Sequence, residues 1–165
     1  LAKTLGGKVV TTVGSDEKAG FVKDLGADVV INHRKEDVAT ALARNPVDVA
    51  LDCVAGPALG KCVATMARGG RWIVIASMGG AMTEIDMNDF FRRGVKLIGS
   101  TLRSRTSEMK AEILAGLEKS LWPALSSGKI KVMIHATLPI TEAETAQAIL
   151  INRENLGKVV MTVKQ

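Results

Sequence analysis

Gly14 and Ser15 follow a β-branched run, residues 8–13, and open a helical pattern that brings Lys18 one turn further on. A strand that passes straight into a helix aims backbone N–H groups and the positive end of the helix at one point, which suits an anion. The small residue at 14 leaves room, the Ser15 hydroxyl can donate, and Lys18 adds a compact positive charge. A dinucleotide site that takes NAD places an acidic side chain near this point, where it accepts hydrogen bonds from the adenosine ribose. Gly14 and Ser15 stand here instead, so the turn reads as a seat for the 2'-phosphate of NADPH. The same residues also suit an ordinary N-cap at Ser15 and a solvated surface lysine at 18. Asp16 and Glu17 count against a phosphate, although acids are common in a first helical turn.

Two more turns of small residues follow apolar runs: Val54, Ala55 and Gly56, then Ser77, Met78 and Gly79. Such turns let a backbone approach a ligand closely, or serve only the geometry of the chain. Asp52 and Cys53 precede the first of them and read as structural, a strand-end acid and a buried apolar thiol. No nucleophilic triad, paired carboxylates or Cys/His cluster occurs, so the sequence names no catalytic residue and no metal ligand. Cys53 and Cys62 are the only cysteines, which excludes a disulfide framework and points to a reducing, cytoplasmic compartment.

The elements that must hold these turns alternate regularly. Strands are expected at 8–13, 28–32, 47–53, 71–77 and 95–100, with helices at 16–25, 35–44, 57–67 and 87–93 between them. The helices stop at Gly26, Asn45-Pro46, Gly69-Gly70 and Gly94. Val- and Ile-rich strands separated by helices of about ten residues indicate a doubly wound α/β domain with a parallel sheet. A long helix over 106–125 follows, with Met109, Ile113, Leu117, Leu121 and Leu125 on one stripe and Pro123 expected to kink its end. A strand in 129–140, a helix in 141–155 opened by a Thr141–Glu144 capping box, and a strand in 157–163 complete the chain. The expected division is a nucleotide-binding domain over 1–128 and a segment over 129–165 that crosses into a neighbouring domain. The chain starts at Leu1, and LAKTLGG reads as the end of a helix at a Gly cap, so upstream residues are expected to have been removed.

Of 165 residues, 47% are hydrophobic, enough for one good core. The net charge of +5 is scattered, Tyr is absent and Phe numbers only three, which excludes a stacking platform for nucleic acid. A modest positive excess fits a multiply anionic cofactor. No apolar run approaches the roughly 20 residues of a membrane helix.

The wording of TVGSDEKAGFVKDLGADVVINHRKED, DVALDCVAG, ARGGRWIVIASMGG, KLIGSTLRSR and the NxGKVV ending resembles the C-terminal half of the zeta-crystallin-like NADPH:quinone oxidoreductases, the zinc-free branch of the medium-chain dehydrogenases/reductases. The resemblance covers essentially the whole chain. It implies that Ser15 and Lys18 meet the 2'-phosphate, that His33 lies by the adenine where relatives often carry Tyr, and that Val54 and Gly56 with Ser77, Met78 and Gly79 approach the ribose and pyrophosphate. It also implies that Thr101 and Leu102 contact the nicotinamide amide, and that Arg153 and Asn155 close over the cofactor from the far side. An arginine at the end of a helix equally suits the helix dipole.

In that family the first strand, its glycine-rich turn and the substrate domain would lie before Leu1. The strand order 3-2-1-4-5-6 then leaves the neighbours of the first strand unpaired, so 1–165 is not expected to fold alone as a soluble monomer. The implied function is hydride transfer from NADPH to a quinone or similar enone, in a homodimer joined through strand 95–100. An enoyl reductase of fatty-acid or polyketide type, or a non-catalytic crystallin-like binding module, stands as the alternative.

Overall fold

The computed structural model describes residues 1–163. The chain divides into two compact units, one over Lys8–Leu117 and the other formed by Leu1–Gly7 with the residues from Glu118 onward. The first unit runs β1 (Val10–Val13), α1 (Asp16–Asp24), β2 (Val29–Asn32), α2 (Val38–Arg44), β3 (Val49–Asp52), α3 (Pro57–Val63), β4 (Arg71–Val74), α4 (Met87–Arg93) and β5 (Lys96–Gly99). This is the expected α/β alternation, and every strand pair is parallel.

The strands form two ladders, β1-β2 and β3-β4-β5. Ile31 of β2, Ala41 and Leu42 of α2, Leu59, Cys62 and Val63 of α3, Met66, Trp72 of β4 and Val95 make one buried cluster, against which Val10 and Ala50 also pack. Ile31 and Trp72 are the strand residues buried in this cluster, whereas β5 (Lys96–Gly99) is exposed along its length.

Helix boundaries follow local hydrogen bonding. At the end of α1, Gly26 N–H donates to Lys23 O and Ala27 N–H to Val22 O, with Gly26 at φ 98, the paired bonds of a Schellman cap. Residues 1–7 close with the same pair, Gly6 N–H to Lys3 O and Gly7 N–H to Ala2 O. Helix α2 starts at Val38 rather than 35, because the Asp37 carboxylate accepts from Thr40 N–H at 2.8 Å and caps it there. Those bonds, backbone first and then the Thr40 hydroxyl, hold the Asp37 carboxyl below its ordinary value. Helix α3 ends at Val63 rather than 67. There the Thr65 amide and hydroxyl both take the Cys62 carbonyl, at 3.0 and 2.8 Å, and the chain tightens into i→i+3 turns.

Helix α5 (Ser107–Ser126) spans the division between the units and continues past Pro123. Of its apolar stripe Leu121 is buried, while Met109, Ile113 and Leu117 are exposed. The second unit pairs β6 (Ile134–Pro139) with β7 (Lys158–Thr162) in parallel, through α6 (Ala143–Ile151). The Thr141–Glu144 capping box does not form. A 3-10 turn over Ile140–Glu142 precedes α6, whose first turn receives no side-chain cap. Threonine 141 therefore lies inside the preceding turn and not at the cap position.

Among the described residues β1 pairs only with β2, and β3 only with β4, and beside the unpaired edge of β3 Val49 and Leu51 are 49% and 72% exposed. Open apolar edges recruit other strands. Residues 1–165 expressed by themselves are expected to self-associate at micromolar concentration in sedimentation velocity; a monomer that unfolds in one cooperative step would contradict this reading of the two edges.

Candidate cofactor site

Each strand of the first unit hands the chain to one of the residue groups singled out in the sequence: Ser15 after β1, His33 after β2, Val54 and Gly56 after β3, Ser77 to Gly79 beyond β4, and Thr101 and Leu102 beyond β5. In a parallel sheet the carboxyl ends of the strands are where ligands bind.

After β1, Ser15 takes extended dihedrals (φ −155, ψ 161), and its Oγ accepts from Lys18 N–H at 3.2 Å. Ser15 is thus the N-cap of α1, with its hydroxyl proton still able to donate. A Cβ at Gly14 would lie 3.1 Å from His33 Nε2 and 3.9 Å from Arg34 Nε, so this position and the two basic side chains after β2 form one corner. Asp16 is occupied: its carboxylate accepts from Lys35 Nζ and from Asn32 Nδ2 at 3.0 Å. Those bonds, Lys35 first, hold its carboxyl below the ordinary value. Among the described residues neither the Lys18 ammonium nor the Arg34 guanidinium has an ion-pair partner. Arg34 escaped the sequence reading because only the fold brings it against Gly14.

The turns after β3 and β4 lock together through their main chains. Met78 N–H donates to Cys53 O at 3.2 Å and Gly79 N–H to Val54 O at 2.7 Å. A Cβ on Gly56, whose φ is +69, would sit 2.5 Å from Gly79 O, and one on Gly79 would sit 2.8 Å from Val54 Cγ1. The contact at Gly56 is with backbone and its φ is positive, so that position requires glycine, whereas at Gly79 the near atom is a methyl of exposed Val54, which can shift. Ala55 shares the left-handed region at φ 52. Around this seam Val54, Met78 and Leu102 are exposed. Thr101 follows β5 in the same setting, and Ser100 N–H donates to Val74 O at 2.9 Å, tying that exit to β4.

Arg153 and Asn155 belong to the second unit, in the loop from α6 to β7. Arg153 takes φ 60 at the position after the helix cap, where its N–H donates to Leu150 O. Asn155 Nδ2 donates to Gly157 O at 3.0 Å, and Leu156 N–H to His135 Nδ1 at 3.2 Å, so this loop is held by side chains of its own unit. Among the described residues no group of three His, Cys, Asp or Glu side chains could hold a metal ion. No helix among them is long and apolar enough to cross a membrane.

Residues 1–118 match the family model described as zinc-binding dehydrogenase, and the chain belongs to that family. It resembles the quinone oxidoreductase of Homo sapiens, with 27% identity over 98% of this chain and 49% of the relative. The Pseudomonas syringae quinone oxidoreductase structure superposes with a TM-score of 0.79 at 27% identity, over 98% of this chain and 51% of that one. A mycobacterial quinone oxidoreductase gives 0.78 at 27%, with the same coverage. The chain therefore spans about half the length of the relatives it matches. Fold and family together define a Rossmann-type α/β domain of the zinc-binding dehydrogenase family.

The two thiols differ sharply. Cys53 is exposed beside the seam, whereas burial, and after it the charges of Asp37 and Asp52, pushes the buried Cys62 thiol from 9.0 up to about 11. A raised value favours the thiol in the folded state, so this contribution is complete below pH 9.0 and is lost as pH climbs towards about 11. Iodoacetamide treatment of the intact folded protein at pH 8, read by peptide mass spectrometry, is expected to label Cys53 and spare Cys62; equal labelling would contradict the buried position.

Proposed function

We propose that this chain is the cofactor-binding part of an NADPH-dependent oxidoreductase that transfers a hydride to a quinone or a similar electron-poor enone. The observation that carries the choice of NADPH is the corner at Gly14. Among the described residues neither Lys18, in the first turn of α1, nor Arg34, beside Gly14, has an ion-pair partner, and the carboxylate of Asp16 is already engaged by Lys35. A phosphate placed there meets two cations, the Ser15 hydroxyl and the N-terminus of α1. An NAD site would need a free carboxylate in the same place.

The seam of Gly56 and Gly79 suits a dinucleotide because Gly56 admits no side chain and exposed Gly79 carries none. On this reading Val54, Gly56, Ser77, Met78 and Gly79 bear on the ribose and pyrophosphate, His33 on the adenine, and Thr101 and Leu102 on the nicotinamide amide. When bound, NADPH supplies the hydride. The chain's residues orient it and, with exposed Val54, Met78 and Leu102 at the rim, offer an apolar surround that keeps water away. The names of the quinone oxidoreductase relatives support the substrate class.

Lys18→Ala in the intact protein is expected to weaken NADPH binding by about 1 to 3 kcal/mol and leave NADH nearly unchanged, measured by fluorescence titration of both. Equal losses for the two cofactors would remove Lys18 from the 2'-phosphate.

The same protein is proposed to be a homodimer across β5. Among the described residues that strand pairs only with β4, and Leu97 and Ile98 stand exposed on it at 41% and 38%. Two such edges related by a two-fold axis would extend one sheet through both subunits. Lys96 discourages pairing from one end, but the central positions are apolar. Sedimentation equilibrium at micromolar concentration is expected to show a dimer, and a monomer would refute the arrangement.

A further inference from the structure

Asp52 ends β3 facing three donors. Its Oδ1 accepts from Val54 N–H at 2.7 Å and from Ala55 N–H at 3.0 Å, and its Oδ2 accepts from the indole Nε1–H of Trp72 at 3.0 Å. Its own carbonyl accepts from Ile75 N–H at 2.8 Å, where the chain leaves β4. Trp72 is buried in the core, and Asp52 itself is half-buried. The next two residues supply the carbonyls of the seam, Cys53 O to Met78 N–H and Val54 O to Gly79 N–H. Ala55, which the carboxylate also holds, is the non-glycine residue in the left-handed region at φ 52.

We propose that Asp52 is a positioning residue: by tying the core indole of Trp72 to the backbone of residues 54 and 55, it sets the turn after β3 and, through that turn, the turn after β4. The chemistry requires Asp and not merely a polar side chain. All three partners donate, so an acceptor-only group satisfies them, whereas an amide must turn its NH2 towards either the indole N–H or the two backbone N–H groups. A left-handed alanine is sparsely populated by itself and persists where its surroundings over-determine it. The carboxylate on its N–H is one such constraint, and glycine-to-glycine contact on its far side is another. The consequence for the cofactor rests on the reading that these turns receive its ribose and pyrophosphate; the geometric coupling does not.

Hydrogen exchange of the intact protein, read at single amides, tests the coupling without any cofactor. In Asp52→Asn the Val54 and Ala55 amides are expected to exchange about tenfold faster, the Met78 and Gly79 amides to accelerate with them, and the Lys18 amide on Ser15 Oγ to keep its rate. Trp72→Phe, which removes only the indole arm, is expected to give the same pattern at smaller amplitude and serves where the first variant folds poorly. Acceleration confined to Val54 and Ala55 would overturn the proposal, because Asp52 would then form only its own turn. Acceleration of all five amides alike would overturn it as well, by showing general loosening. In parallel, Asp52→Asn is expected to weaken NADPH binding while leaving adenosine 2'-monophosphate, which lacks the pyrophosphate and the nicotinamide half, at wild-type affinity. A wild-type protein that binds neither ligand would refute the cofactor reading and leave the exchange result to decide the role of Asp52.

Discussion

Main chain meets main chain between two strand-end turns, and the rest of the site depends on that approach. Cys53 and Val54 offer carbonyls to Met78 and Gly79, at a separation that leaves no room for a Cβ on Gly56. Parallel strands β3 and β4 run side by side as far as Asp52 and Val74, and beyond that point no ladder holds the chains together. The seam replaces the ladder. Because it is built from backbone, it presents peptide groups and little side-chain bulk, the kind of surface a dinucleotide backbone can rest on.

Charge is arranged separately from this seam. The corner around Gly14 draws on two strands and a helix start, and what distinguishes its charges is which of them are already paired. Lys35 is committed to Asp16, whereas among the described residues Lys18 and Arg34 have no ion-pair partner. A count of charges along the chain would see His33, Arg34 and Lys35 followed by Glu36 and Asp37 and find near balance. Folding sorts that balance into one neutralised pair and one cationic corner.

Much of the fold was legible because its signals are local. Alternating apolar runs and glycine stops place the five strands of the first unit and four of its helices, since each stop is a hydrogen-bonding event within a few residues, as at Gly26. Boundaries were missed where a side chain decided them: Asp37 delays α2, Thr65 shortens α3, and a 3-10 turn displaces the expected cap of α6. The site was legible as a set of small-residue turns but not as a mechanism of positioning. Arg34 reaches Gly14 from another strand, and Asp52 reaches Trp72 across 20 positions, contacts that no spacing in the sequence encodes. Asp52 read as a strand-end acid is correct as far as it goes; its three donors become visible only when β3 and β4 are set side by side.

The central claim is that the strand ends of the first unit, with the Gly14 corner and the glycine seam as one surface, hold NADPH. Hydrogen exchange of the intact protein with and without saturating NADPH tests it most directly. The account predicts protection of amides in 14–18, 53–56 and 77–80, with β2 and α2 unchanged. Binding without protection of both the corner and the seam would contradict it.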